Sequence, residues 1–179
     1  KFRNVTGVQT CALPIFAALL RIVATTSVGV EMAADWRNAV GAIAAATLVI
    51  ANLAALGQRS LKRLLGWSSV AHGGYIAAAV AAGSNAAPFV AFYLAVYGTL
   101  VIAAFGLVSL LPDEDLEIER LAGLWHRSPA IVAGLFVTFV GLAGLPPTAG
   151  FLGKLYVFEA LASAQMLWLL LVGVLATVV

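Results

Sequence analysis

The sequence predicts an all-α protein, a polytopic bundle of transmembrane helices with about six membrane segments and one discontinuous helix near residues 144–150. Three observations carry this. Hydrophobic residues make up 63% of the 179-residue chain, charged residues only 10%, and the mean hydropathy is +1.03, far outside the range of water-soluble domains. Several apolar stretches reach about 20 residues, the length a helix needs to cross the hydrocarbon core. Charges and Pro/Gly clusters lie mainly between those stretches, which leaves no soluble domain.

Composition also excludes functions. The formal net charge of +2 comes from basic residues scattered in a few loops, so no cationic stripe tracks phosphates and nucleic acid is not an expected partner. A single cysteine, Cys11, allows no internal disulfide framework and no cysteine-based metal site. With only His72 and His126 there is no histidine cluster, and neither metal nor redox cofactor is implied.

Dividing the chain at its charges and breakers gives the elements in order. Phe16 to Thr26 is too short to span and reads as the end of a helix, whereas Asn38 to Gly57 and Leu64 to Ala82 are spans. Pro88 to Leu111 follows, with Pro88 in the first turn, where its missing N–H costs nothing. The polar loop "PDEDLEIER" comes next. Pro129 to Ser163 is apolar but too long for one straight crossing at about 1.5 Å per residue, so it must kink, break or divide. Gln165 to Val179 reads as a last, incomplete helix.

Arg59, Lys62 and Arg63 crowd one loop, and Arg120 and Arg127 flank the next loop on the same side, two crossings later. That side is expected to face the cytoplasm. Five acids, Asp113, Glu114, Asp115, Glu117 and Glu119, share the second loop but weigh little in the rule.

The most informative stretch is "GLAGLPPTAGFLGKLYVF", residues 141–158, because it puts two prolines and a lysine where hydrocarbon should be. Pro146 and Pro147 lack an N–H and would clash with the carbonyls of Leu142 and Ala143, so a helix breaks here and frees those acceptors. Free backbone at that depth is tolerated only beside water or protein, and broken helices lining a polar path are a recurrent ion-site device. Gly144, Gly150 and Gly153 allow close packing around the break. Lys154 lies seven residues past the second proline. It reads either as a proton carrier inside the bundle or as a lysine snorkelling to the interface, and its nearness to the break points to the first. Glu159, five residues on, is off the contact positions of a helix and is not expected to pair with it.

A second stretch, "QRSLKRLLGWSSVAHGGY", residues 58–75, leads from a basic loop into a helix on which Ser68, His72 and Tyr75 recur at i, i+4 and i+7. They form a polar seam. His72 is a candidate proton relay on that seam or, equally, a hydrogen-bonding residue that glues neighbouring helices. Arg59, Lys62 and Arg63 read as headgroup anchors. Trp67, Trp125, Trp168 and the tyrosines lie near helix ends and read as interface belts, His126 as a solvated loop residue, and Asn52 as a helix-packing group.

Together, "SLKRLLGWSSVAHGGY" and "GLAGLPPTAGFLGKLYVF" resemble antiporter-like subunit N of bacterial respiratory complex I, the proton-pumping NADH:quinone oxidoreductase, over Phe16 to Val179. The resemblance implies a segment matching helices eight to thirteen of a fourteen-helix, inverted-repeat subunit, with the discontinuous helix as the twelfth. It implies that Lys154 acts in the half-channel through which the proton leaves, driven by quinone reduction elsewhere in the complex. NADH, quinone, flavin and iron–sulfur clusters would then be bound by other subunits, with no cofactor in this chain. Expected partners are the lipid bilayer, other complex I membrane subunits and protons, and the expected location is the bacterial inner membrane. The lysine of "GFLGK" argues against sister subunit M, which resembles this chain elsewhere but has a glutamate there. "SSVAHGGY" favours subunit N over the related subunit of the multisubunit sodium/proton antiporters. That antiporter subunit, or a structural segment moving no protons, are the alternatives.

The family's helix-five glutamate and its helix-seven and helix-eight lysines would belong upstream of Arg21. By register with the family the helix-eight lysine should fall a few residues before Phe16, where this chain reads "QTCALPI". One back-translation of Val5 to Ile15 resembles the adapter ligated to DNA in short-read sequencing libraries. Residues 1–15 are therefore read as a non-native leader, and residues 16–179 as part of a proton-translocating antiporter-like membrane domain.

Overall fold

The computed structural model describes residues 34–83, 86–111, 117–121 and 123–178. The leader read at residues 1–15 and the first segment, Phe16 to Thr26, lie outside the described residues. Helices α1 (Ala34–Leu56), α2 (Leu61–Ala82) and α3 (Ala87–Ser109) run antiparallel in succession. A 3-10 turn (Ile118–Leu121) and a one-turn helix α4 (Leu124–Arg127) lead into α5 (Pro129–Ala143), α6 (Ala149–Ser163) and α7 (Leu167–Val178). The long apolar segment is divided as its prolines require, and α1 and α3 are each long and apolar enough to cross a membrane.

Charge alone misplaces two helix starts. Helix α1 begins four residues before Asn38 and includes Asp35 and Arg37, and α2 begins at Leu61 with Lys62 and Arg63 in its first turn. A charged side chain can stand on the first turn of a membrane helix when its tip reaches water, headgroups or a buried acceptor.

The bundle is apolar on its exterior as well as in its core, and a few polar groups are buried within it. Ile43, Phe136 and Leu175 are 66%, 68% and 68% exposed, whereas His72, Thr138 and Lys154 are only 7%, 6% and 6% exposed. An apolar exterior, with the rare ionisable groups turned toward the bundle interior, is what a lipid solvent selects. Helix α2 is central and buries ten residues along its length. It meets α1 closely because Gly74 has no side chain: a Cβ there would stand 2.9 Å from Leu48 Cγ. Helix α3 turns Val90, Tyr93, Tyr97, Ala104 and Val108 inward as one stripe.

The two basic loops share one face of the bundle. The Ile118 amide donates to the Arg59 carbonyl at 2.9 Å, and Ser60 and Glu117 form an isolated antiparallel bridge. Helix α5 enters from that face, and α6 leaves toward the opposite one.

Candidate functional site

The break between α5 and α6 is built from local rules. Gly144 takes the left-handed conformation, φ 74° and ψ 43°, which glycine adopts without the side-chain penalty. Its amide donates to Gly141 O at 3.1 Å, and that of Leu145 donates to Val140 O at 3.3 Å, the paired bonds that close a helix C-terminus. Pro146 and Pro147, both exposed, carry the chain out of helical geometry. Thr148 restarts it: its hydroxyl oxygen accepts from the Phe151 amide at 3.3 Å and donates to Leu145 O at 2.7 Å. Gly150 lets the two half-helices touch, since a Cβ there would collide with the Gly141 carbonyl oxygen.

Lys154 closes the break. Its ammonium Nζ donates to the carbonyl oxygen of Ala143 at 2.8 Å, reaching back from α6 to the last residue of α5. The last carbonyls of a helix have no intrahelical donor and carry the negative end of its dipole, so a cation is favoured there. The stem lies across Gly144, where a Cβ would stand 3.0 Å from Lys154 Cδ. The Nζ also sits 5.3 Å from the centroid of the Tyr75 ring, within the range of a cation–π contact.

An aromatic group gathered on His72 adjoins this lysine through Tyr75. His72 Nδ1 is hydrogen-bonded to the Tyr93 hydroxyl at 2.6 Å, and its ring stacks on Tyr97 with centroids 4.4 Å apart. Tyr75 donates across to α7, where Gly173 O lies at 2.9 Å and Thr177 Oγ1 at 2.6 Å from its hydroxyl oxygen. Gly153 admits Tyr93, whose Cδ2 would be 2.8 Å from a Cβ placed there. A narrow cavity lined by His72, Tyr93, Tyr97, Gly141 and Gly150 joins the histidine to the helix break.

Lys154, His72, Tyr75, Gly144 and Gly150 thus converge, with Pro146 and Pro147 at the rim. Ser68 is half-buried one turn before His72, at the edge of the seam. Glu159 is exposed, and the lysine's contact goes to a backbone carbonyl instead. Asn52 donates to Leu48 O at 2.7 Å within its own helix, so it does not bridge helices by that bond. His126 is exposed on α4.

Tyr93 and Tyr97 correct the sequence reading, while Tyr75 lies inside the bundle where the polar seam put it. Tyr75, Tyr93 and Tyr97 are 3%, 3% and 5% exposed and are not interface belts. Their rings gather on His72, that of Tyr75 also faces Lys154, and at Tyr75 and Tyr93 the hydroxyl has a hydrogen-bond partner inside the bundle, which is what lets a phenol be buried. The available clue was the spacing of Tyr93 and Tyr97, four residues apart on an otherwise apolar helix. Trp125 and Trp168 are exposed and Trp67 is half-buried. Among the described residues no three His, Cys, Asp or Glu side chains gather into a metal-ligand group.

A helical bundle with an apolar exterior, a broken helix and a lysine facing histidine and tyrosines in its interior defines a polytopic membrane protein of the antiporter-like class. The chain belongs to the family described as "NADH:quinone oxidoreductase/Mrp antiporter, TM", which matches residues 10–179. It is 42% identical over 169 residues to NADH-quinone oxidoreductase subunit N of Acidothermus cellulolyticus, covering 92% of this chain and 32% of that protein. It is 39% identical over 183 residues to NADH-quinone oxidoreductase subunit N 2 of Solidesulfovibrio magneticus, covering 99% and 38%. A chain in the structure of respiratory complex I from Thermus thermophilus with bound Aureothin superposes with a TM-score of 0.73 at 35% identity, over 79% of this chain and 33% of that one. The chain therefore spans about a third of the length of the curated relatives it matches.

Proposed function

We propose that this chain is part of a membrane subunit of a proton-pumping NADH:quinone oxidoreductase and contributes the outlet half of its proton channel. The observation that carries the reading is the seat of Lys154: a buried ammonium held on a freed helix carbonyl, at a break from which α6 runs to the face opposite the basic loops. With those loops cytoplasmic, in a bacterial inner membrane, α6 leads outward. One N–H bond of the ammonium breaks, the proton passes to water at the break, and the neutral amine loses its electrostatic hold on the α5 terminus and on the Tyr75 face. Reprotonation from the inner side restores the hold. His72, hydrogen-bonded to Tyr93 and beside the Tyr75 ring that faces Lys154, is the proposed neighbouring relay. Electron transfer, with NADH, quinone, flavin and iron–sulfur clusters, belongs to partner subunits.

The test is Lys154→Met in the full-length subunit of an intact complex reconstituted in vesicles, reading quinone reduction and proton uptake together. Loss of proton uptake in an assembled complex supports the reading. Unchanged uptake makes the segment a scaffold.

A further inference from the structure

Arg37 does not stand out by its sequence context, yet one of its side-chain hydrogen bonds spans 127 residues of chain. Its Nε donates to Ala81 O and its Nη2 to Ala164 O, each at 3.2 Å. Ala81 lies in the last turn of α2 and Ala164 immediately follows α6. One planar guanidinium on α1 therefore occupies two helix C-termini at once, answering orphan carbonyls and the negative ends of two helix dipoles with a fork that cannot lose its charge.

The two helices so joined carry the site. Nine residues separate Ala81 from His72 and ten separate Ala164 from Lys154, so the clamp stands about 14 Å and about 15 Å along the respective axes from the two groups. A slide of α6 against α2 therefore carries Lys154 along the bundle axis relative to His72 and Tyr75, out of the level they share. The neighbouring contacts fix the clamp. Gly41, one turn along α1, lies against the α6–α7 turn, where a Cβ would stand 3.0 Å from Met166 Cε and 3.1 Å from Trp168 Cζ2. That turn closes with Gln165 N to Ala162 O at 3.1 Å and Met166 N to Leu161 O at 3.0 Å, with Gln165 left-handed at φ 59°.

We propose that Arg37 is a positioning residue that sets the axial register of α2 and α6, and thereby the geometry between Lys154 and the His72–Tyr75 face. The proposal rests on the outlet-channel reading for its functional consequence, though not for the register itself. The experiment uses the full-length subunit in the intact complex, with Arg37→Ala, Arg37→Lys and Lys154→Met prepared in parallel. Spin labels at V70C and L155C, both on exposed positions, read the distance between α2 and α6 without reference to pumping.

In Arg37→Ala, the label distance is expected to shift or broaden. Proton uptake per electron pair is expected to fall about tenfold, since misplacing reacting groups by about 1 Å has effects of that size or more. The pH profile of uptake is also expected to move, which loss of a passive anchor does not produce. Wild-type distance and pH profile in Arg37→Ala overturn the proposal. If Arg37→Ala does not assemble, the same readings on Arg37→Lys decide it: an ammonium keeps the charge without the fork, so a wild-type profile there overturns the proposal and a displaced one supports it. If Lys154→Met pumps normally the channel reading fails, and the label distance alone then upholds or overturns the register role.

Discussion

The Lys154 ammonium donates to the Ala143 carbonyl oxygen at 2.8 Å, eleven residues back along the chain and across the break that the two prolines create. The acceptor exists because a proline cannot supply the amide that would otherwise have taken it. The space for the donor exists because Gly144 has no side chain.

That relationship predicts an order of severity for two small substitutions. Gly144→Ala places a Cβ against the flexible lysine stem and a left-handed backbone on alanine, a conformational cost of about 1–2 kcal/mol. Gly150→Ala drives a Cβ into the Gly141 carbonyl oxygen, which has no flexible end to move away. Thermal denaturation of the purified complex is expected to show the larger loss for Gly150→Ala. Gly144→Ala should retain quinone reduction while proton uptake declines. Equal stability losses, or normal uptake in Gly144→Ala, would contradict this account of the break.

Tyr93→Phe leaves His72 Nδ1 buried without its 2.6 Å partner, a cost of about 1–3 kcal/mol. His72→Phe alone leaves the Tyr93 hydroxyl in the same position. The double variant removes both polar groups, so its destabilisation should be less than the sum of the singles by about 0.5–3 kcal/mol. A denaturation cycle on the four proteins measures this directly, and strict additivity would mean the two groups do not interact.

Much of this architecture is legible in the sequence because it is local. Charges and Pro/Gly clusters locate the spans within a few residues, and Pro146–Pro147 announces both the break and the two freed carbonyls. Lys154 stands out because an ammonium inside an apolar run demands a partner. The partner's identity is half visible: Ala143 is one of the two acceptors the prolines free, but nothing in a one-dimensional pattern says the lysine folds back toward it. Tyr93 escapes the sequence because its link to His72 spans 21 residues and two helices. Arg37 escapes it for a different reason. Charge serves as a marker of helix ends, so a charged residue inside a helix reads as a boundary, and its acceptors lie 44 and 127 residues away.

Tyr75 offers separable contacts. Tyr75→Phe removes the hydroxyl's bonds to Gly173 O and Thr177 Oγ1 but keeps an aromatic face toward Lys154, whereas Tyr75→Leu removes both. The difference between the two variants in thermal stability should be about 0.5–2 kcal/mol beyond side-chain packing if the ammonium rests on the ring. Repeating the comparison in a Lys154→Met background should abolish that difference. Its persistence there would assign it to packing alone.

Lys154→Arg separates charge from proton transfer. A guanidinium keeps the positive charge, the donor toward Ala143 O and the affinity for an aromatic face, but it holds its proton at any working pH. A lysine that merely caps α5 is replaceable by arginine, apart from the crowding of a larger head against Gly144. A lysine that must release its proton each cycle is not. Lys154→Arg is therefore expected to assemble, to reduce quinone and to pump no more than Lys154→Met does, measured as proton uptake by vesicles of matched complex content. Near-normal uptake with arginine at this position would show that a fixed positive charge suffices, and the proton would then have to cross the break by another group, with His72 the candidate on the neighbouring helix.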